Sequence, residues 1–295
     1  MKFMVFKMIG FLLIYSMALY SAKAMSARSN QAWNSIDANN HASSKPVKVD
    51  VLDSVLFPEN EPTLSVNEPM YFVVGGSGST TAHFQFSFKY RIFDPDSTPV
   101  DWFQALYGLQ FGYTQTSIWD LSDDSAPFYD TSYRPSFFWQ GNLYGKGLMP
   151  KLLRGGFEHE SNGKDGDASR SINTLFLMPF WGTDVSNNRT LIVAPKFYVY
   201  LEKSDNEDIQ QYRGYVDWNV RFGNESGRLL TMRLRYGTAH RSSTQIDFSY
   251  PLRKPLFNRT GGFVSFQIFR GYGESILDYD KDNGTQLRIG FSMVR

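Results

Sequence analysis

From Met70 onward the chain alternates apolar and polar residues with a period of two. In Phe84 to Ile92 one face carries Phe84, Phe86, Phe88, Tyr90 and Ile92, and the other Gln85, Ser87, Lys89 and Arg91. Val216, Trp218, Val220 and Phe222 oppose Tyr215, Asp217, Asn219 and Arg221 in the same way. Leu230, Met232, Leu234 and Tyr236 oppose Thr231, Arg233 and Arg235, and Leu287, Ile289, Phe291 and Met293 oppose Gln286, Arg288 and Ser292. Such alternation is the signature of β-strands with one greasy face. About twelve segments qualify, at 70–76, 84–93, 106–121, 136–145, 152–163, 171–181, 190–202, 214–223, 228–239, 243–252, 261–273 and 285–294. Segments near ten residues are long enough to cross a bilayer when tilted. An even number of antiparallel strands closes without an exposed edge.

A soluble sandwich also alternates, but two features favour the membrane. The polar faces are repeatedly charged, and no segment reads as a helix that would cover so much aromatic surface. The expected fold is all-β, a transmembrane antiparallel β-barrel of about 12 strands. Segments 171–181 and 261–270 depart from the pattern, mixing apolar and polar residues on both faces.

Ahead of the barrel the pattern differs. Residues 1–24 read as a secretory signal peptide: Lys2 and Lys7 open it, Met8 to Tyr20 form an apolar run, and Ala22-Lys23-Ala24 fits a cleavage site. That run is too short for a membrane anchor. Residues 25–66 read as a flexible N-terminal extension and irregular lead-in, rich in Ser, Asn and Lys and then in proline. The barrel domain is expected over 67–295.

Composition narrows the chemistry. The 295-residue chain has no cysteine, which excludes disulfides and thiolate catalysis. Thirty basic residues against 29 acidic leave no electrostatic footprint for nucleic acid. The four histidines are His41, His83, His159 and His240. His41 falls in the extension, His83 just before a strand and His240 at a strand end, where polar or lumenal roles suffice. Four scattered histidines make no zinc site.

His159 differs. In the alternating run Leu152 to Gly163 it shares the greasy face with Leu153, Phe157 and Ser161, while Arg154, Glu158, Glu160 and Asn162 take the other. A general base thus stands beside a hydroxyl it can activate, on a lipid-facing surface where polar residues are costly and point to function. A third group is needed to orient the imidazole, and the next strand offers Asn173.

The stretch His159-Glu160-Ser161-Asn162-Gly163-Lys164, with Ser169-Arg170-Ser171-Ile172-Asn173, resembles the active-site region of the bacterial outer-membrane phospholipase A family. The likeness extends to Tyr113–Trp119, Ser125–Phe128, Tyr133-Arg134-Pro135 and Gly271–Ser275 with Leu277-Asp278-Tyr279, in family order over roughly residues 67 to 295. The resemblance implies a twelve-stranded barrel in the bacterial outer membrane that hydrolyses phospholipid and lysophospholipid acyl esters, with A1 and A2 activity. By the same likeness Ser161 is the nucleophile, His159 the general base and Asn173 its orienting partner. It further implies calcium dependence and an active homodimer. The family pattern assigns calcium to Ser125, Ser169, the Lys164 backbone carbonyl and Asp205, with Asp165 and Asp167 as nearby alternatives; hard oxygen donors of this kind suit the ion. It also places Gln115, which alternation turns toward lipid, in the dimer interface.

The chain departs from the family at Glu160, where aspartate is frequent, at Ile172, where tryptophan is common, and at its C-terminal Arg295. The competing reading is a non-catalytic barrel, either a small pore or a structural protein, which has no reason to keep His159 and Ser161 on its lipid face. A soluble esterase would need a G-x-S-x-G elbow, which Glu160-Ser161-Asn162-Gly163 is not.

Overall fold

The computed structural model describes Leu52, Leu56 and residues 61–143, 147–186, 188–252 and 262–295. Its strands are β1 (Met70–Gly75), β2 (Thr81–Arg91), β3 (Leu109–Asp120), β4 (Phe128–Asn142), β5 (Leu152–Ser161) and β6 (Ser171–Ser186). They continue as β7 in two arms (Arg189–Val193 and Lys196–Glu202), β8 (Val216–Gly223), β9 (Leu229–Tyr236), β10 (Ser242–Pro251), β11 (Phe263–Tyr272) and β12 (Asp282–Val294). Each strand pairs antiparallel with the next, and β12 returns to β1 with Ile289 opposite Val74 and Phe291 opposite Phe72. The result is a closed barrel of 12 strands. Both arms of β7 pair with β6 and with β8, so they are one strand interrupted at Pro195, which has no N–H for the ladder.

Every segment expected from alternation is a strand, though some ends differ. The fourth begins at Phe128 rather than at 136, because Pro135 sits inside it opposite Tyr113. Proline is tolerated there since the β4–β5 register passes from Tyr133–Ser161 to Ser136–Glu158 without using its nitrogen. The sixth runs to Ser186 rather than 181. The second starts at Thr81, so His83 lies within a strand rather than before it. His83 faces the lumen, 2.6 Å from Gln267 and edge-on to Tyr71.

The faces sort as the pattern requires. On β2, Phe86 is 45% exposed and Ser87 0%; on β12, Leu287 is 56% exposed and Arg288 4%. Apolar side chains form the outside, and polar ones fill the inside. Lumenal charges are paired: Lys89 with Glu61 at 2.8 Å, Arg134 with Glu68 at 2.8 Å, Lys196 with Glu158 at 2.7 Å, Arg213 with Glu160 at 2.9 Å and Arg235 with Asp217 at 2.7 Å. Leaving one such buried charge without its partner costs about 3–5 kcal/mol.

Two small apolar clusters inside the barrel explain why segment 171–181 mixes its faces. At the site end, Ile172 packs with Ile209, Ile276 and Tyr279 from two covering loops. At the opposite end, Met178 and Phe180 pack against Leu52, Leu56, Ile192 and Ala194. The lead-in is therefore less free than its composition suggests. Leu52 and Leu56 are helical and buried, and Leu64–Ser65 pairs with Tyr90 and Lys89 of β2. The leader at 1–24, His41 and most of the extension lie outside the described residues. No helix among the described residues is long and apolar enough to cross a membrane.

Candidate active site

Antiparallel pairing of β5 with β6 sets His159 directly opposite Asn173 on the outer face. His159 Nδ1 lies 2.8 Å from Asn173 Oδ1. An amide oxygen only accepts, so Nδ1 donates its proton there and Nε2 keeps its lone pair for chemistry. Ser161 stands two residues along on the same face, opposite Ser171 of β6 and Tyr133 of β4. Ser161, His159 and Asn173 thus share one outward patch of two neighbouring strands.

The strand that carries them is clamped from within. Glu160 points inward, accepting from Arg213 at 2.9 Å and from the Ser132 hydroxyl at 2.9 Å. Glu158 holds Lys196 at 2.7 Å. The carboxylates flanking His159 in sequence therefore anchor its backbone to three other elements and take no part in the outer patch. The substitution of aspartate by glutamate at 160 is absorbed in this lumenal network.

The loop after β5 is organised by Asn162, which alternation places only among the polar residues of the far face. Its Nδ2 donates to Ala168 O at 2.8 Å, while its Oδ1 accepts from Arg170 N at 3.0 Å and Lys164 N at 3.3 Å. Gly163 turns with φ 67°, against the Tyr133 ring. An Asn-Gly pair ending a strand was the available signal. This staple fixes Ser169, whose hydroxyl donates to Asp205 Oδ2 at 2.9 Å. Asp205 is delivered by a loop that Asn206 pins to Ser171 O at 2.7 Å and Ile209 packs onto Ile172. Here isoleucine at 172 serves as the seat for the loop rather than as a disturbance.

Of the expected calcium ligands, the structure brings Ser169 and Asp205 into contact and places Lys164 in the same stapled loop. Lys164 sends its ammonium to Tyr129 O at 2.6 Å, away from that pair. Ser125 is exposed on the β3–β4 turn and makes no hydrogen bond to the other three. Asp165 and Asp167 are exposed in the loop. Among the described residues, no three His, Cys, Asp or Glu side chains gather to hold a metal. The donor set is thus hydroxyl, carbonyl and a single carboxylate, all hard oxygen. It fits calcium completed by water and excludes a thiophilic metal.

Gln115 faces outward on β3, between Phe86 of β2 and Tyr133 of β4. Its amide is not alone. Oε1 accepts from Tyr113 OH at 3.1 Å, and Nε2 donates to Ser117 Oγ at 3.4 Å.

A family model described as phospholipase A1 matches residues 22–293. The chain belongs to the phospholipase A1 family. A putative phospholipase A1 of Neisseria meningitidis is 31% identical over 226 residues, covering 70% of this chain and 53% of the relative. A phospholipase A1 of Klebsiella pneumoniae is 31% identical over 193 residues, covering 63% of this chain and 62% of its own. The chain therefore spans between half and two thirds of the length of these relatives. The outer membrane phospholipase A of Escherichia coli superposes with a TM-score of 0.65 at 23% identity, covering 82% of this chain and 96% of that one. The Salmonella typhi outer membrane phospholipase, solved as a dimer with bound calcium, superposes with a TM-score of 0.66 at 23% identity. It covers 82% of this chain and 97% of that one. The fold is that of the outer membrane phospholipases.

Proposed function

We propose that this protein is a calcium-dependent phospholipase of the outer membrane, exported by a cleaved signal peptide. It cleaves acyl esters of phospholipids and lysophospholipids, at either acyl position, through Ser161, His159 and Asn173. One observation carries this reading: the His159–Asn173 hydrogen bond lies on the outer, apolar face of the barrel, beside Ser161. A lipid ester reaches that face by lateral diffusion, with its acyl chain along Phe157 and Leu175, which are exposed there.

His159 Nε2 takes the Ser161 proton as Oγ attacks the ester carbonyl. The imidazolium, steadied through Nδ1 by Asn173, then protonates the departing glycerol oxygen and leaves an acyl-serine. Water, deprotonated by the same nitrogen, attacks the acyl carbon, releases the fatty acid and regenerates Ser161. Calcium held by Ser125, the Lys164 carbonyl, Ser169 and Asp205 would supply positive charge for the developing oxyanion. The active form is a homodimer meeting along the lipid-facing side that carries Gln115.

The test is fatty-acid release from phospholipid micelles by purified protein, with calcium and then with chelator. Release is expected, suppressed by chelation and abolished in Ser161→Ala and His159→Asn, with losses of at least about 10³-fold. Undiminished release by Ser161→Ala would overturn the mechanism.

A further inference from the structure

Strand β7 carries a bulge at its site end. Tyr200 stands opposite Thr174 of β6, but Glu202 stands opposite Asn173, so two residues of β7 cover one step of β6. Tyr200 is lumenal, donating to Gly214 O at 3.0 Å, and strict alternation would turn Glu202 inward as well. The bulge turns it outward, because directly opposed residues share a face and Asn173 faces out. His159, Asn173 and Glu202 therefore form one row across three adjacent strands.

The Glu202 carboxylate is held rather than mobile. Its Oε1 accepts the Ser204 N–H at 2.6 Å and the Ser204 hydroxyl at 2.5 Å. It lies within electrostatic reach of the His159 imidazole. Other charged groups near His159 are engaged elsewhere. Glu158 and Glu160 of its own strand face the lumen, paired with Lys196 and Arg213. Asn173 of β6 faces it as a neutral group, and Tyr133 of β4 stands opposite the neighbouring Ser161. In the loops, Lys164 donates to Tyr129 O, Arg170 to Asp167 O and Ser169 O, and Lys203 to Glu207 O.

We propose that Glu202 is a positioning residue of the triad, supplying from one strand beyond Asn173 the negative charge that an amide lacks. The inference rests on the triad reading above. A base that becomes an imidazolium gains from a nearby carboxylate. Asn173 fixes the ring, and Glu202 favours its charged form.

The deciding measurement is a titration of isotopically labelled histidine by NMR in detergent, with Ser161→Ala so that no substrate turns over. His159 is assigned by its loss in His159→Asn. Glu202→Gln should move the His159 midpoint to lower pH by about half a unit or more, and Glu202→Asp should restore most of it. In the otherwise native enzyme, Glu202→Gln should lower kcat by about threefold or more with KM unchanged and shift the acidic limb of the rate profile the same way. A His159 midpoint unmoved by Glu202→Gln overturns the proposal, even if kcat falls, since that marks a merely structural role. Failure of the native protein to hydrolyse lipid would sink the phospholipase reading separately, and the titration would still decide whether Glu202 acts on His159.

Discussion

At the scale of single residues, alternation alone put His159 and Ser161 on one outward face. It could offer Asn173 on the next strand but not fix its place, because the register between β5 and β6 depends on a loop whose path no local pattern dictates. The next strand offers Asn173 and the family likeness names it, and the direct opposition of His159 and Asn173 is what the structure adds. Glu202 was hidden for the opposite reason: alternation holds until a bulge breaks it, and nothing in Tyr-Leu-Glu announces one. On the proposed mechanism, a neutral orienting group has a kinetic consequence. Loss of a charged aspartate from such a triad costs about 10⁴-fold, whereas Asn173→Ala removes orientation without removing charge. Its kcat should fall between about tenfold and about 10³-fold, measured on the same micelles, well short of the loss in Ser161→Ala. Equal losses in the two variants would contradict the division of labour drawn here.

Among the elements, strand positions were legible because each has a lipid face and a polar face. Their ends were not, since Pro135 looked like a breaker and the lumenal clusters blurred β6. The loops were least legible, yet they build the candidate calcium site. Asn162 closes the β5–β6 loop with three hydrogen bonds from one side chain, and no other group replaces them. Asn162→Ala should therefore raise the calcium needed for half-maximal activity by about tenfold or more, as loss of a supporting partner does at other metal sites. Saturating calcium should restore most of kcat, which it cannot do for Ser161→Ala. A calcium requirement unchanged by Asn162→Ala would separate the loop from the metal. The cap over the site end carries its own pH dependence. Burial pushes the Tyr279 hydroxyl above the ordinary tyrosine range, and its bond to Asp208 at 2.6 Å adds to the shift. Because the folded value is raised, this contribution is intact below pH about 10 and is lost as pH rises through the folded value. Above pH about 10, stability should fall more steeply with pH in native protein than in Tyr279→Phe, which has no proton to lose; parallel slopes would show the cap to be indifferent to it.

For the whole molecule, a closed barrel has no free strand edge, so two copies can meet only side to side across lipid-facing surface. Apolar contact drives such association weakly, because lipid tails satisfy the same surface, and polar groups on that face supply direction. Gln115 is suited to this by place, but its amide is already satisfied within β3 by Tyr113 and Ser117. Pairing with a second copy would exchange those bonds rather than create new ones, and single polar contacts between membrane segments average only about 0.6 kcal/mol. Gln115→Leu should therefore weaken the dimer by less than about tenfold in dissociation constant. Chelation should dissociate it further, if calcium is bound by loops that both copies order. Analytical ultracentrifugation in detergent, with calcium and an unreactive substrate analogue, reads both effects. A Gln115→Leu protein that is wholly monomeric would show that the amide directs association far more strongly than an exchange of bonds allows. A native protein fully active as a monomer would remove the dimer from the mechanism.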